Sequence, residues 1–138
     1  MSTFKMEHKN PEGLFASKAF SQAITVSGKA KTIYIGGQNA INAKGELVGA
    51  GDLELQTKQA LHNIATILAS ENASFANLVK LNIYLLRGCD PRIGYKAFQE
   101  AAGPLDHPPL VTVLFVSEFA RPSCLLEIDG IAVVEDKD

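Results

Sequence analysis

Residues 107–134 read HPPLVTVLFVSEFARPSCLLEIDGIAVV, and they set the architecture of the whole chain. Two apolar runs, at 110–116 and 124–134, flank a turn-like segment at 117–123. Both runs are rich in Val, Ile and Leu, a composition typical of buried strands, and both are too short to span a membrane. We therefore predict two long buried strands that pair as a hairpin.

The second run carries two carboxylates, Glu127 and Asp129, among apolar neighbours. Because side chains alternate along a strand, the two point to one face and lie about 7 Å apart. A carboxylate in a buried strand is costly unless it is paired, hydrogen-bonded or facing a cleft. Glu127 is therefore a candidate to activate water, with a structural hydrogen-bond acceptor as the open alternative. Asp129 is interpreted as a cap for a neighbouring backbone group.

Length and composition narrow the possible classes of protein. The 138 residues are predicted to form one domain over 1–138. The net charge is −2 and the sequence contains no basic stripe, so we expect no nucleic-acid partner. Neither a signal-like apolar segment nor a run of about 18 apolar residues is visible, so we expect a cytoplasmic protein without a membrane partner. No metal-binding spacing of His or Cys is present, so we expect neither a metal nor a cofactor.

The remaining elements follow from periodicity and capping residues. A helix is predicted over 52–71 with Asp52 as its N-cap, and a second helix begins at Pro91 with Asp90 as its cap. Between them, residues 78–86 alternate as a strand. Near the N-terminus, residues 3–8 can form a short strand, and residues 19–26 and 32–35 are predicted to form a hairpin.

This order, β-β-α-β-α-β-β, predicts an α+β fold with one mixed sheet and both helices on one face. Two helices leave the other face of the sheet uncovered. Since some of its residues are apolar, the pattern indicates that another subunit covers that face.

Several short motifs in one order carry a family resemblance over nearly the whole chain. They are FSQA at 20–23, GQ at 37–38, GELV at 45–48, QTKQALHN at 56–63, the strand at 79–85, HPP at 107–109 and LEIDGIA at 126–132. With this set the chain resembles the RidA/YjgF family of reactive-intermediate (enamine/imine) deaminases, whose older name is endoribonuclease L-PSP.

The resemblance implies a homotrimer of chorismate-mutase-like subunits, with the sheets as an inner barrel and small-molecule pockets at the three interfaces. It implies no cofactor or metal. Members typified by RidA hydrolyse 2-aminoacrylate-type imines to 2-keto acids and ammonia.

The chain departs from the family pattern at most of the pocket positions. The resemblance places the family's carboxylate-binding Arg at Val111, its Cys at Val113, its Tyr at Phe20 and its Ser at Gly36. The family's water-orienting Glu is retained as Glu127. The backbone near Gly36, Gly37 and Gln38 remains as a holder for the polar end of a substrate; these residues complete the predicted substrate-binding set.

Valine cannot replace a guanidinium, whose charge-assisted hydrogen bonds to a carboxylate contribute roughly 1.5–3 kcal/mol. We therefore expect a hydrolase of an imine, an enamine or a related electrophilic bond that does not act on 2-imino acids. Whether Arg121, in the turn before the last strand, replaces the missing Arg is left open. A non-enzymatic metabolite-binding or chaperone-like trimer is the alternative from another class. An endoribonuclease is a third alternative, which the lack of a basic patch and of a His pair in the sequence disfavours.

Overall fold

A computed structural model of the chain describes residues 3–137. Its strands are β1 (Lys5–Lys9), β2 (Ala23–Ser27), β3 (Ala30–Gln38), β4 (Leu78–Leu86), β5 (Leu110–Val116) and β6 (Leu126–Glu135), and its α-helices are α1 (Leu53–Ser70) and α2 (Pro91–Ala102). A single turn of 3₁₀-helix at Phe75–Asn77 leads into β4. Residues 1, 2 and 138 of the predicted domain lie outside the described part.

The strands form a mixed sheet of four strands in the order β3-β6-β4-β5. β4 and β5 run parallel, whereas β6 is antiparallel to both β3 and β4. The predicted α+β fold with a mixed sheet and two helices is therefore confirmed. The first two strands do not extend this sheet; β1 and β2 pair with each other as a separate antiparallel ladder.

Both predicted hairpins are wrong, because other strands occupy the expected partners' places. β4 lies between β5 and β6, and β5 reaches its parallel position beside β4 through α2. Parallel neighbours require such a crossover, and the chain then passes the end of β4 to begin β6. At the N-terminus β2 pairs with β1, and β3 pairs with β6 instead.

The helix boundaries follow the capping residues that the sequence contains. The side chain of Asp52 accepts a hydrogen bond from the backbone N–H of Leu55 at 3.1 Å, and α1 begins at the next residue, Leu53. The side chain of Asp90 accepts from the N–H of Arg92 at 3.0 Å, with Pro91 as the first helical residue. Each cap satisfies an N–H that has no partner inside the helix.

The core lies between the helices and one face of the four-stranded sheet. Leu61, Ile64 and Leu68 of α1 are almost completely buried. They belong to one cluster with the sheet residues Ile33, Ile35, Leu81, Leu85, Leu126, Ile128 and Ala132. On β6 the core residues are the even-numbered ones, so the odd-numbered Glu127 and Asp129 point away from the helices.

The opposite face of the sheet has no helix on it, and several large side chains there are open to solvent. Tyr34 of β3 is 79% exposed, and Leu114 of β5 is 52% exposed. We call this the helix-free face, and the side that α1 and α2 cover the helix face. The expected covering of the helix-free face by another subunit stays a prediction.

Gln56 of α1 ties the helix to the loops around it. Its side chain is completely buried, and its Nε2 donates to the carbonyl oxygens of Gly49 at 3.1 Å and Ser123 at 3.0 Å. Its Oε1 accepts from the backbone N–H of Leu125 at 2.8 Å. All three bonds of a buried amide are thus made, and they fix the residue that precedes β6.

Candidate functional site

The sheet register separates the predicted site residues into two groups. Directly paired residues carry their side chains on the same face of a sheet. Val111 pairs with Leu81 and Val113 with Ile83, so both valines lie on the helix face. Glu127 pairs with Tyr84 and lies on the helix-free face. Within one chain, therefore, Glu127 does not share a cavity with the two valines.

The face on which each β5 residue lies also determines which of them could occupy the place of the family's arginine. If the family's Arg and Glu face one pocket, the positions on β5 that share a face with Glu127 are Leu110, Thr112 and Leu114, and not Val111. None of these residues is a cation. Whichever face of β5 holds the position of the family's Arg, the chain has no guanidinium on this strand.

Glu127 is held where β3 contains a bulge. The register of β3 against β6 shifts between Ile35 and Gln38, so one extra residue is inserted on β3. A Cβ at Gly37 would collide with the carboxylate of Glu127, whereas a Cβ at Gly36 would meet nothing within 4 Å. The lack of a side chain at Gly37 thus makes room for the carboxylate.

A side-chain amide orients the same carboxylate. Nδ2 of Asn39 donates to Oε1 of Glu127 at 3.1 Å and to the carbonyl oxygen of Leu126 at 3.2 Å. Asn39 is itself fixed, because its carbonyl oxygen accepts from Nδ2 of Asn63 in α1 at 3.3 Å. Sequence reasoning missed Asn39, although its position directly after Gly37-Gln38 was a signal for it.

The rest of the predicted substrate-binding bulge lies beside this carboxylate. Gly36 is exposed, and its carbonyl oxygen accepts from Nε2 of Gln38 at 3.2 Å. β3 pairs only with β6 in the described part of the chain, so its other edge is open to a ligand. Gly36, Gly37 and Gln38 therefore lie at the bulge whose Gly37 approaches Glu127, and their role in substrate binding stays a prediction.

The polar residues that continue across the helix-free face are engaged with each other. Nδ2 of Asn82 donates to Oδ1 of Asp129 at 2.6 Å. Asp129 thus accepts from a side chain, which replaces the predicted role as a backbone cap. Nζ of Lys80 donates to Oγ1 of Thr112 at 2.5 Å.

Glu127 has no cationic partner in the ion pairs found among residues 3–137. Arg121 donates through Nη2 to the carbonyl oxygen of Gly45 at 2.9 Å, and this hydrogen bond attaches it to the loop before α1. Lys80 is four residues from Tyr84 along β4, which corresponds to roughly 13 Å. The Glu127 carboxylate therefore makes no ion pair with another residue of the described part of the chain.

The second group lines a cavity of about 340 Å³ between α2 and the helix face, which we call the α2 chamber. Its walls come from α1, α2, β4, β5, β6 and the segment before β2. They are Ala19, Phe20, Thr57, Leu61, Leu81, Ile83, Leu85, Pro91, Arg92, Gly94, Tyr95, Phe98, Val111, Val113, Leu126 and Ile128. Phe20, Val111 and Val113 are thus brought together, but in a cavity without Glu127.

Phe20 is positioned by the residue that follows it. Oγ of the buried Ser21 donates to the carbonyl oxygen of Pro108 at 2.6 Å, and its backbone N–H donates to that of Pro109 at 3.1 Å. These bonds anchor the segment before β2 to the residues that enter β5. The FSQA and HPP motifs are therefore joined in space.

The α2 residues of the chamber were missed by the sequence reasoning. Pro91, Gly94, Tyr95 and Phe98 recur at i, i+3, i+4 and i+7, which is the spacing of one helix face. This spacing along α2 was the signal that could have revealed the chamber.

Other candidate chemistries receive no support from the described residues. Burial raises the pKa of the Cys89 and Cys124 thiols, which disfavours the reactive thiolate. Within residues 3–137 no cluster of three or more His, Cys, Asp or Glu could hold a metal ion. Neither α-helix in that range has the length and apolar character needed to cross a bilayer.

Comparison with known proteins identifies relatives over most of the chain. The family model described as Endoribonuclease L-PSP matches residues 11–134. A RutC family protein of Pyrococcus abyssi is 32% identical over 131 residues, which cover 90% of this chain and 98% of that protein. A solved structure, the Rid family protein YyfB of Yersinia pestis, superimposes with a TM-score of 0.79 at 33% identity, covering 94% of this chain and 98% of that one.

A shorter match connects the chain to proteins with a named activity. A 2-iminobutanoate/2-iminopropanoate deaminase of Capra hircus is 43% identical over 67 residues, which are 48% of this chain and 46% of the relative. The match spans about half the length of that deaminase. Together with the near-complete family match and the shared α+β fold, these findings show that the chain belongs to the RidA/YjgF family, also called the endoribonuclease L-PSP family.

Proposed function

We propose that this protein is a homotrimeric hydrolase of neutral imines or enamines, with Glu127 as its acid–base residue. The observation that carries the proposal is the Glu127 carboxylate, which Gly37 and Asn39 hold at the open edge of β3. Bulges that re-aim side chains are common beside active sites. The named activity of the imine deaminases among its relatives supports the reaction type.

The proposed reaction needs only water and the substrate. Glu127 accepts a proton from a water molecule as the water oxygen attacks the carbon of the C=N bond. Glu127 gives this proton to the nitrogen, which completes the carbinolamine. It then accepts the hydroxyl proton of the carbinolamine as the C=O bond forms and the C–N bond breaks, and it passes that proton to the departing nitrogen. The products are a carbonyl compound and ammonia or an amine, and the carboxylate is regenerated. Backbone groups at Gly36–Gln38 hold the polar end of the substrate.

The proposed substrates are neutral because Glu127 forms no ion pair with a cation among residues 3–137. Lys80, on the helix-free side of β4, is hydrogen-bonded to Thr112. A substrate carboxylate would thus be placed near a carboxylate and without a charged partner, which is unfavourable. We therefore expect 2-imino acids to be poor substrates compared with imines that lack a carboxylate.

The homotrimer is proposed because the helix-free face contains large exposed side chains on two strands. Tyr34 and Leu114 are both more than half exposed in a single chain. Covering this face with neighbouring copies removes apolar surface from water and closes the open side of the Glu127 group. Light scattering tests this directly, and a monomer at micromolar concentration would contradict the assembly.

The catalytic proposal is tested with a Glu127→Gln variant. Imines are generated in the assay by oxidation of primary amines and, separately, of amino acids, and the release of ammonia is followed. We expect turnover of neutral imines to fall by about 10²–10⁴-fold, the usual contribution of a general acid–base group. Unchanged turnover would remove Glu127 from the mechanism.

Asp129→Asn provides the matched control. Asp129 lies on the same face of the same strand but is bonded to Asn82 and not to the bulge. We expect its activity to stay within a few-fold of the native protein. A substrate series in which 2-iminobutanoate is hydrolysed faster than neutral imines would contradict the proposed substrate class.

A further inference from the structure

We propose that the α2 chamber is a second ligand site, which binds a small, neutral, hydrophobic molecule of about bicyclic-aromatic size. The chamber lies on the helix face, so it is separate from the Glu127 group. Its walls are formed by side chains of both helices and three strands, and it is partly open to solvent. The size of the chamber, the chemistry of its walls and one glycine in α2 favour a bound ligand.

The size of the chamber suits a small organic molecule. Its volume of about 340 Å³ is at the lower end of the range of ligand pockets, about 300–1,000 Å³. It is also more than twice the roughly 150 Å³ of an engineered apolar cavity that stays dry and takes up benzene. A molecule with two fused aromatic rings therefore has sufficient space.

The chemistry of the walls selects against charged ligands. Thr57 contributes a hydroxyl, but its Oγ1 already donates to the carbonyl oxygen of Leu53 at 2.7 Å. The guanidinium of Arg92 is held by the Asp90 carboxylate, with Nη2–Oδ2 at 2.9 Å. Tyr95 also lines the chamber, mainly as an aromatic side chain with one hydroxyl group. An ion in this chamber would lose its hydration without gaining a partner.

Gly94 keeps the chamber open from the side of α2. It occupies the helix face formed by Pro91, Tyr95 and Phe98, and a Cβ there would meet no atom within 4 Å. Glycine inside a helix lowers helix stability, and an unfilled apolar cavity lowers the stability of the fold. Folding alone therefore gives no reason for the glycine or for the space, whereas a ligand that fills the space does.

The chamber and the Glu127 group share a strand but no side chain. Leu126 and Ile128 of β6 line the chamber, while Glu127 between them points to the opposite face. A ligand under α2 would contact the strand that carries the carboxylate without touching it. Binding in the chamber can therefore be measured independently of catalysis.

The test uses 2-naphthol as the probe, with affinity from its fluorescence and location from the methyl NMR signals of the protein. We expect saturable binding that shifts the methyl signals of Ile83, Val111 and Val113. Gly94→Leu, which fills the chamber with a good helix-forming residue, should weaken binding by at least tenfold. Lys96→Leu adds the same side chain at an exposed position of α2 outside the lining, and it should bind as the native protein does.

A second variant keeps the test decisive if Gly94→Leu disturbs α2. Val113→Phe narrows the chamber from the side of β5 and should also weaken binding by at least tenfold. The proposal is overturned if the native protein shows no saturable binding, or if both filling variants bind 2-naphthol with native affinity. Glu127→Gln should keep native affinity, so a failure of the proposed hydrolysis would leave this result unaffected.

Discussion

The two faces of the four-stranded sheet differ in polarity, although the same strands form both of them. On the helix face, Leu81, Leu126 and Ile128 are buried and adjoin the α2 chamber. On the helix-free face, the intervening residues include Glu127 and a row of hydrogen-bonded polar side chains. One strand thus supplies a dry wall and an acidic group from alternate residues. Residues that are adjacent in sequence, such as Glu127 and Ile128, therefore belong to different sites.

The largest effect is expected for a core substitution on the helix face. Comparing it with a substitution on the helix-free face tests whether the two faces are stabilised in different ways. Leu81 is 2% exposed, so Leu81→Ala should lower the free energy of unfolding by about 2–5 kcal/mol at any protein concentration. Leu114→Ala removes a side chain that is exposed in one chain and is expected to act through assembly, so its cost should grow with protein concentration. Urea denaturation at several concentrations measures both, and an equal, concentration-independent cost would contradict the difference between the faces.

A smaller effect is expected at the bulge that holds the carboxylate. Gly37→Ala places a Cβ against Glu127 and must displace its carboxylate, whereas Gly36→Ala meets no atom within 4 Å. A displacement of about 1 Å can lower a rate by about 10²-fold, so we expect a loss of that order for Gly37→Ala only. Steady-state turnover and circular dichroism check activity and fold. Equal activities of the two variants would show that the carboxylate's position does not matter.

The smallest expected effect concerns neither face but the small sheet beside them. Nε2 of His8 on β1 is buried without a hydrogen-bond partner among residues 3–137, and its ring stacks on that of His107 with centroids 5.1 Å apart. Burial, together with the charge of His107, lowers the pKa of His8 below 6.5. The unfolded chain then binds more protons than the folded chain as the pH falls below that value, so stability is lost on acidification.

The pH effect is measured as the difference in unfolding free energy between pH 7.5 and pH 5.5. We expect the native protein to lose more stability over this range than a His8→Gln variant, which cannot titrate at this position. A native protein that becomes more stable towards pH 5.5, relative to the variant, would contradict the sign.

The local elements could be predicted from the sequence because their signals are local. Asp52, Asp90 and Pro91 mark helix starts, and the alternation at 78–86 marks β4 with its observed bounds. Strand pairing could not be predicted in the same way. The apolar runs of β5 and β6 suit a hairpin as well as they suit two strands on either side of β4. The β4–α2–β5 order was the available signal, since strands on either side of a helix usually run parallel.

The candidate site was predictable in part for the same reason. Glu127 and its bulge partner Gly37 are far apart in sequence, and only the resemblance suggested that they meet. Val111 and Glu127 lie on opposite faces of the sheet within one chain, because a step of one residue along a strand reverses the face of the side chain. The unfilled space under Gly94 depends on packing between α2 and the sheet, which no local pattern specifies.

The buried amide of Gln56 has a consequence for how this chain can change over time. Because it binds the N–H of Leu125, it fixes the count of residues between that anchor and Glu127. An insertion or deletion of one residue there would turn the acid into the interior and bring Ile128 out to solvent. Point substitutions can therefore change individual side chains of this segment one at a time. A change in its length would move every following side chain of β6 to the opposite face in a single step.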